Sequence, residues 1–261
     1  MKNRILIFVL ISILAATSSF FLLGMIIDCV GSDEENLPEI LLEGDWYYYL
    51  GERDYLNGAH IVGISDSAKQ KEVLIIPYYI NSAVVQTVTY SLDYCTDKID
   101  SGKLKTVYFL GDAFSIEGFS NVQNLEKFVV MQESYDIYKK SIGVDYGLTN
   151  IYFCRDTLEY PTGKVSGRTN LYYANVSYLY NYDGANNNGF YWVDNYDYGE
   201  KIEFVPENPT REGYTFGGWY KEESCENKWD FNNDRLPEIK KGTQEETLYQ
   251  ETKLYAKWIA N

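Results

Sequence analysis

Apolar residues fall along this chain in three different rhythms. Ile5 to Ile27 is one low-charge apolar block of 23 residues. As a helix it would extend about 34 Å, against roughly 30 Å of bilayer hydrocarbon. Between Gly44 and Glu159 a leucine-led cluster returns at intervals instead. Leu104-Lys-Thr-Val-Tyr-Phe109, Leu125-Glu-Lys-Phe-Val-Val130 and Leu148-Thr-Asn-Ile-Tyr-Phe153 share the form L-x-x-(V/F/I)-x-(F/V), with leaders 21 and 23 residues apart. In the last third the runs Arg211–Tyr220, Lys228–Phe231 and Leu254–Trp258 place an aromatic at nearly every second position. A period of two places alternate side chains on one face of a strand, so this last third reads as thin β structure.

The first block is a membrane or export signal. Lys2 and Arg4 precede it, and Asp28, Asp33, Glu34 and Glu35 follow. The positive-inside bias therefore keeps the N-terminus in the cytoplasm and sends the rest outside. Three fates of residues 1–30 stay open. One is an uncleaved signal-anchor helix, whose length exceeds a signal-peptide core. Another is a signal peptide cleaved near Ala15-Ala-Thr-Ser18. The third is lipid attachment at Cys29, although Asp28 stands where bacterial lipoprotein signals carry a small residue. All three put the working part outside the cytoplasm.

The middle rhythm predicts a stack. An earlier member of the series is Glu72-Val-Leu-Ile-Ile-Pro77. Leucine-led units with periods in the twenties each add one strand to a parallel array, and none can bury its apolar face alone. Gly44-Asp-Trp-Tyr-Tyr-Tyr-Leu50 and Ala59-His-Ile-Val-Gly-Ile64 alternate like a hairpin that caps the first unit. Tyr135 to Tyr146 is too short for its period to separate helix from strand. Ile75-Ile-Pro-Tyr-Tyr-Ile-Asn-Ser-Ala-Val-Val-Gln-Thr-Val88 resembles the corresponding stretch of BspA-like leucine-rich repeats. Ala113-Phe114 and Gly118-Phe-Ser-Asn121 resemble the turn that precedes each leading leucine in that family. The resemblance implies a short leucine-rich-repeat solenoid over residues 44–160, of the kind carried by bacterial surface proteins.

The pattern breaks at Tyr160-Pro-Thr-Gly-Lys-Val-Ser-Gly-Arg168, where a boundary is expected. Leu171 to Tyr182 reads as one strand. Asp183-Gly-Ala-Asn-Asn-Asn-Gly189 reads as a turn, because Asn-Gly favours the left-handed angles a hairpin needs. Phe190-Tyr-Trp-Val193 is the return strand, and Pro206 and Pro209 mark an extended crossing. The run Arg211-Glu-Gly-Tyr-Thr-Phe-Gly-Gly-Trp-Tyr220 places rings on both sides of a Gly-Gly step that permits a bulge. Tyr214, Phe216, Trp219, Trp229, Phe231, Tyr255 and Trp258 are expected to share one aromatic core, each fully buried ring contributing roughly 1.5–3 kcal/mol. This order, with Tyr198-Gly199, Cys225, Trp229-Asp-Phe231 and Leu254-Tyr-Ala-Lys-Trp258, resembles the internalin B-type repeat, also called the Listeria–Bacteroides repeat. The resemblance implies a β-grasp-like module over residues 170–261, associated with adhesion or spacing on bacterial surfaces. The stretch between Phe231 and Leu254 is longer than the family's connection and should form an extra excursion.

Composition narrows the chemistry. A hydrophobic share of 45% suffices for a packed core, and 26 tyrosines against 12 phenylalanines suit β layers with a wetted side. A formal charge of −15 argues against nucleic acid as a partner. The single histidine, His60, is expected at a surface or turn rather than as a base. Cys29, Cys95, Cys154 and Cys225 show no CxxC spacing, so zinc is not expected and buried thiols are the default. A disulfide between Cys95 and Cys154 would depend on geometry. Asp230-Phe-Asn-Asn-Asp234 begins like a calcium loop, but Arg235 and Lys241 occupy the positions that require glycine and glutamate. Asp194-Asn-Tyr-Asp-Tyr-Gly199 keeps the glycine but ends on Val205.

The expected fold is mainly β (α+β): one N-terminal hydrophobic helix, a short solenoid and a small β-grasp-like module. The expected function is a membrane-tethered, extracytoplasmic bacterial surface protein that binds a protein or glycan, with no catalytic residue, metal or cofactor. A purely structural spacer is the rival, and a glycan-acting enzyme a more distant one. The chain shows no LPxTG-like sorting tail, so tethering falls to the N-terminal segment.

Overall fold

The computed structural model describes residues 38–51, 57–89, 102–111, 113, 115–116, 119, 122, 124–132, 141–142, 150–154 and 170–261. The N-terminal apolar segment, Cys29 and Cys95 lie outside these residues. So do the Tyr160–Arg168 break and most of Tyr135–Tyr146. Among the described residues the fold is mainly β, without an α-helix, and no helix is long and apolar enough to cross a membrane.

The leucine-led units form the strands of a parallel sheet. β4 (Val73–Ile76), β7 (Thr106–Phe109), β9 (Lys127–Val130), β11 (Asn150–Phe153) and β12 (Leu171–Tyr173) line up in the order β12-β11-β9-β7-β4. Thr106 stands beside Lys127, and Lys127 beside Asn150, so the register equals the sequence alignment of the units. Matching residues therefore stack in columns. Val107, Phe128, Ile151 and Leu171 point inward and are fully buried, with Leu74 at the head of the column.

A second sheet closes the other side of that core. It runs β1 (Leu41–Glu43), β2 (Trp46–Gly51), β3 (Gly58–Ile64), β6 (Ala83–Val88), β8 (Ser115–Ile116) and β10 (Ser141–Ile142), with β5 (Tyr79–Ile80) also on β6. The hairpin expected at Gly44–Ile64 is β2–β3, and β3 then pairs parallel with β6. It also touches the end of the parallel sheet: Trp46 Nε1 donates to Ile75 O (3.2 Å), on its edge strand. Every residue of β3 from Gly58 to Ile64 is buried. His60 is buried with them, not at the surface. Its Nδ1 lies 2.9 Å from Thr87 Oγ1, and its ring stacks on Tyr49 at 4.7 Å. Ser141–Ile142, inside the ambiguous Tyr135–Tyr146 stretch, is strand.

Leu171 to Tyr182 is two strands rather than one. β12 ends the parallel sheet, and β13 (Val176–Leu179) opens a third sheet in the order β14-β13-β16-β15, with β14 at Phe190–Asp194, β15 at Tyr214–Tyr220 and β16 at Thr252–Ala260. The corner between them is pinned by Asn175. Its Nδ2 donates to Tyr196 O (2.7 Å) and its Oδ1 accepts from Tyr196 N (3.1 Å). The β13–β14 turn uses left-handed angles at Asn188 and Gly189, as Asn-Gly suggested. The Gly-Gly step is a bulge: register shifts between Phe216 and Gly218, and Gly218 has φ +113°. Ile40–Asn261 closes into one unit.

Candidate functional site

The outward face of the parallel sheet is the surface a free-standing stack would offer to a partner. Its column Tyr108–Val129–Tyr152 should meet water in a free-standing stack. Instead Tyr108 and Val129 are buried, and the C-terminal sheet lies over them. The Tyr108 ring packs on Trp192 (4.7 Å between centres) and Phe204 (5.0 Å). The Val193 N–H donates to Met131 Sδ (3.3 Å), and Asn187 Nδ2 to Met131 O (2.8 Å).

At the centre of this contact sits Asp194, with no exposure at all. Its Oδ2 accepts from Tyr108 OH (2.6 Å), and its Oδ1 from Lys127 Nζ (2.5 Å) and Asn195 N (2.7 Å). Lys127 also donates to Asn195 O (3.2 Å) and lies over the Tyr196 ring at 4.5 Å. Burial first, and then the Asp194 charge, hold the Tyr108 and Tyr196 phenols far above their ordinary range. The knot is closed, and each partner is spent on another. The Asp194–Gly199 stretch, which keeps the glycine of a calcium loop but has Tyr196 at its third position, thus directs its leading carboxylate to an internal lysine.

The second acidic run is also engaged with itself. Asp230 is held below the usual carboxylate range by the Asn233 side chain first, then by the Asn232 N–H. Asp234 is lowered by the Asp230 N–H, then by Lys221 at 2.7 Å. Among the described residues no group of three or more His, Cys, Asp or Glu side chains is arranged to hold a metal. An open groove of about 350 Å³ is lined by Glu200, Glu203, Phe231 and Arg235, with Arg235 Nη1 3.5 Å from Glu200. Cys154 is buried and Cys225 half-buried, its thiol pushed up by burial first.

The aromatics of the C-terminal sheet form a graded ladder instead of one closed core. Trp219 and Trp229 are buried; Phe216, Phe231 and Trp258 pack on them and are partly exposed. Tyr255 leaves the core because it alternates with buried Leu254 and Ala256 and so faces the other side of β16. Tyr214 leaves it at the open end of β15, where it is 38% exposed. There Arg211 joins the ladder, its Cζ 4.2 Å from the centre of Tyr182 and 3.9 Å from that of Tyr214. Trp258 is 5.9 Å away, and its indole N–H is spent on Tyr180 O (2.5 Å). A tight turn sets the arrangement: Tyr214 N donates to Arg211 O (3.1 Å), and Gly213 takes φ +76°, which a type II turn requires at its third position. Neither the Arg211 cluster nor the Asp194 knot was picked out from the sequence.

Comparison with known proteins bears on this sheet. Residues 176–257 match the Listeria-Bacteroides repeat domain, from the first residue of β13 into β16. Among curated proteins, Internalin H of Listeria monocytogenes is 53% identical over 32 residues, which is 12% of this chain and 6% of that protein. The likeness is confined to a short segment.

Proposed function

We propose that this is an extracytoplasmic, membrane-tethered bacterial surface protein that contacts a protein or glycan and carries out no catalytic step. The observation that carries the proposal is the match of residues 176–257 to a Listeria-Bacteroides repeat domain, in a chain that begins with an apolar block flanked by inside cations and outside acids. The short identity with Internalin H points the same way. In this reading the parallel stack is a leucine-rich-repeat solenoid of BspA-like type, supported by its leucine-led strands and matched register. The C-terminal sheet is a β-grasp-like module, supported by the order β14-β13-β16-β15 with β13 and β16 parallel. The Ile5–Ile27 segment supplies the tether.

The test is cell fractionation of the full chain and of a chain lacking residues 1–30. The full chain should sediment with membranes and be cleaved by protease added to intact cells. Recovery of the full chain free in the cytosol would end the proposal.

A second reading, a spacer without a ligand, is favoured by one observation. The sheet face on which a solenoid could hold a partner is occupied around Tyr108 and Val129 by the chain's own C-terminal sheet. Any ligand must then be met elsewhere, and a spacer would meet none.

A further inference from the structure

We infer that Arg211, flanked by Tyr182 and Tyr214 at the open end of the aromatic ladder, is a binding site for a saccharide bearing a single carboxylate. The inference rests on the reading that this protein contacts a ligand outside the cell, and supplies the ligand's chemistry.

Three observations converge. First, Arg211 is an unspent cation in an acidic chain. The described residues contain two arginines. Arg235 donates to Gly199 O (3.1 Å) and faces Glu200. Arg211, in a chain of net charge −15, makes no ion pair and no side-chain hydrogen bond with any described residue. Second, it is held in place. Ring centres at 4.2 and 3.9 Å from Cζ are well inside cation–π range, and the Gly213 turn fixes the backbone beneath. No described residue takes up the guanidinium N–H groups, which match a carboxylate in a fork of two parallel hydrogen bonds. Third, the surroundings suit a sugar. Tyr214 is 38% exposed, and phenol rings offer both a flat surface for sugar C–H groups and a hydroxyl for sugar oxygens.

A peptide is less well served. Beyond the bulge the β15 edge is already taken, since Trp229 N donates to Trp219 O (2.9 Å) and Lys221 N to Asn227 O (2.9 Å), so an added strand would have only the short Tyr214–Gly217 part of β15 to pair with. The overall charge also favours one carboxylate over a polyanion. The acidic surface repels a long anionic chain, whereas a single group at Arg211 is screened from charges more than about 8 Å away.

The experiment titrates the full chain in detergent micelles with 3′-sialyllactose, following tryptophan fluorescence and heat of binding. Lactose is the neutral arm and tetra-alanine with a free C-terminus the peptide arm. Sialyllactose should bind saturably, with lactose and tetra-alanine each weaker by about tenfold or more. Arg211→Gln should reduce sialyllactose binding by about tenfold or more, and Arg211→Lys, which keeps the charge but loses the fork, by several-fold. Tyr214→Ala is the second variant should Arg211→Gln fail to fold, and should weaken binding likewise. Absence of sialyllactose binding, equal binding of lactose or tetra-alanine, or undiminished binding by a folded variant would overturn the site. Antibody staining of intact cells separates the two failures. A protein displayed outside that does not bind overturns the site alone, whereas one absent from the surface overturns the functional reading.

Discussion

Lys127, from the parallel sheet, meets Asp194, from the C-terminal sheet, at 2.5 Å, with the carboxylate wholly buried and the lysine side chain 16% exposed. Such a pair adds little over a well-packed apolar substitute, but its halves cannot be separated cheaply, because the survivor is left charged in a dry interior. Lys127→Met should therefore destabilise by roughly 3–5 kcal/mol. Adding Asp194→Leu to it should recover part of the loss, the rest remaining because the Tyr108 hydroxyl and Asn195 N–H lose their acceptor. Urea unfolding midpoints of the single and double variants check this; equal loss in both would mean that the pair is not coupled.

The bulge in β15 depends on Gly218. At φ +113° a side chain is strained, and a Cβ there would also come within 2.6 Å of Lys228 Cε. The lysine tip can move, so the backbone term decides. Gly218→Ala should cost roughly 1–2 kcal/mol, measured as a lower Tm, with the strand pairing kept.

Alkaline pH should unfold the protein through its phenols. Burial, the first cause in each case, raises Tyr152 and Tyr191 to about 12, raises Tyr108 and Tyr196 further, and lifts Tyr178 well above its ordinary value. Their folded values exceed the unfolded value of about 10, so the folded chain holds more protons. Their contribution is complete below pH about 10 and is lost as pH climbs through 12. Absorbance at 295 nm should show part of the 26 tyrosines ionising reversibly, and the rest only together with loss of the circular dichroism signal. Complete ionisation before any structural change would contradict this burial.

Much of this architecture is legible in the residue order because local rules agree with the global answer. Leaders 21 and 23 residues apart set the register of Thr106, Lys127 and Asn150, since equal units can stack only in phase. Gly217-Gly218 and Asn188-Gly189 announced a bulge and a turn, because few other residues tolerate the angles there. What escaped depends on contacts between distant residues. The Leu171–Tyr182 run reads as one strand, yet Asn175 breaks it by bonding Tyr196, 21 residues on. His60 is expected at the surface because nothing local announces that Tyr49 and Thr87, its neighbours on β2 and β6, cover its ring. Lys127 and Asp194 are 67 residues apart, and Arg211 finds Tyr182 across β14 and the extended crossing that follows it. Neither meeting leaves a periodic trace.

The central claim is that the parallel stack and the repeat module share one core through Tyr108, Val129 and Trp192, so that both open together. Hydrogen exchange on the full chain, with and without Trp192→Asp, tests it most directly. The account predicts that amides of Lys127–Val130 and Phe190–Asp194 exchange at a common free energy in the parent and lose protection together in the variant. If the variant frees Phe190–Asp194 while Lys127–Val130 keeps its full protection, the shared core does not exist.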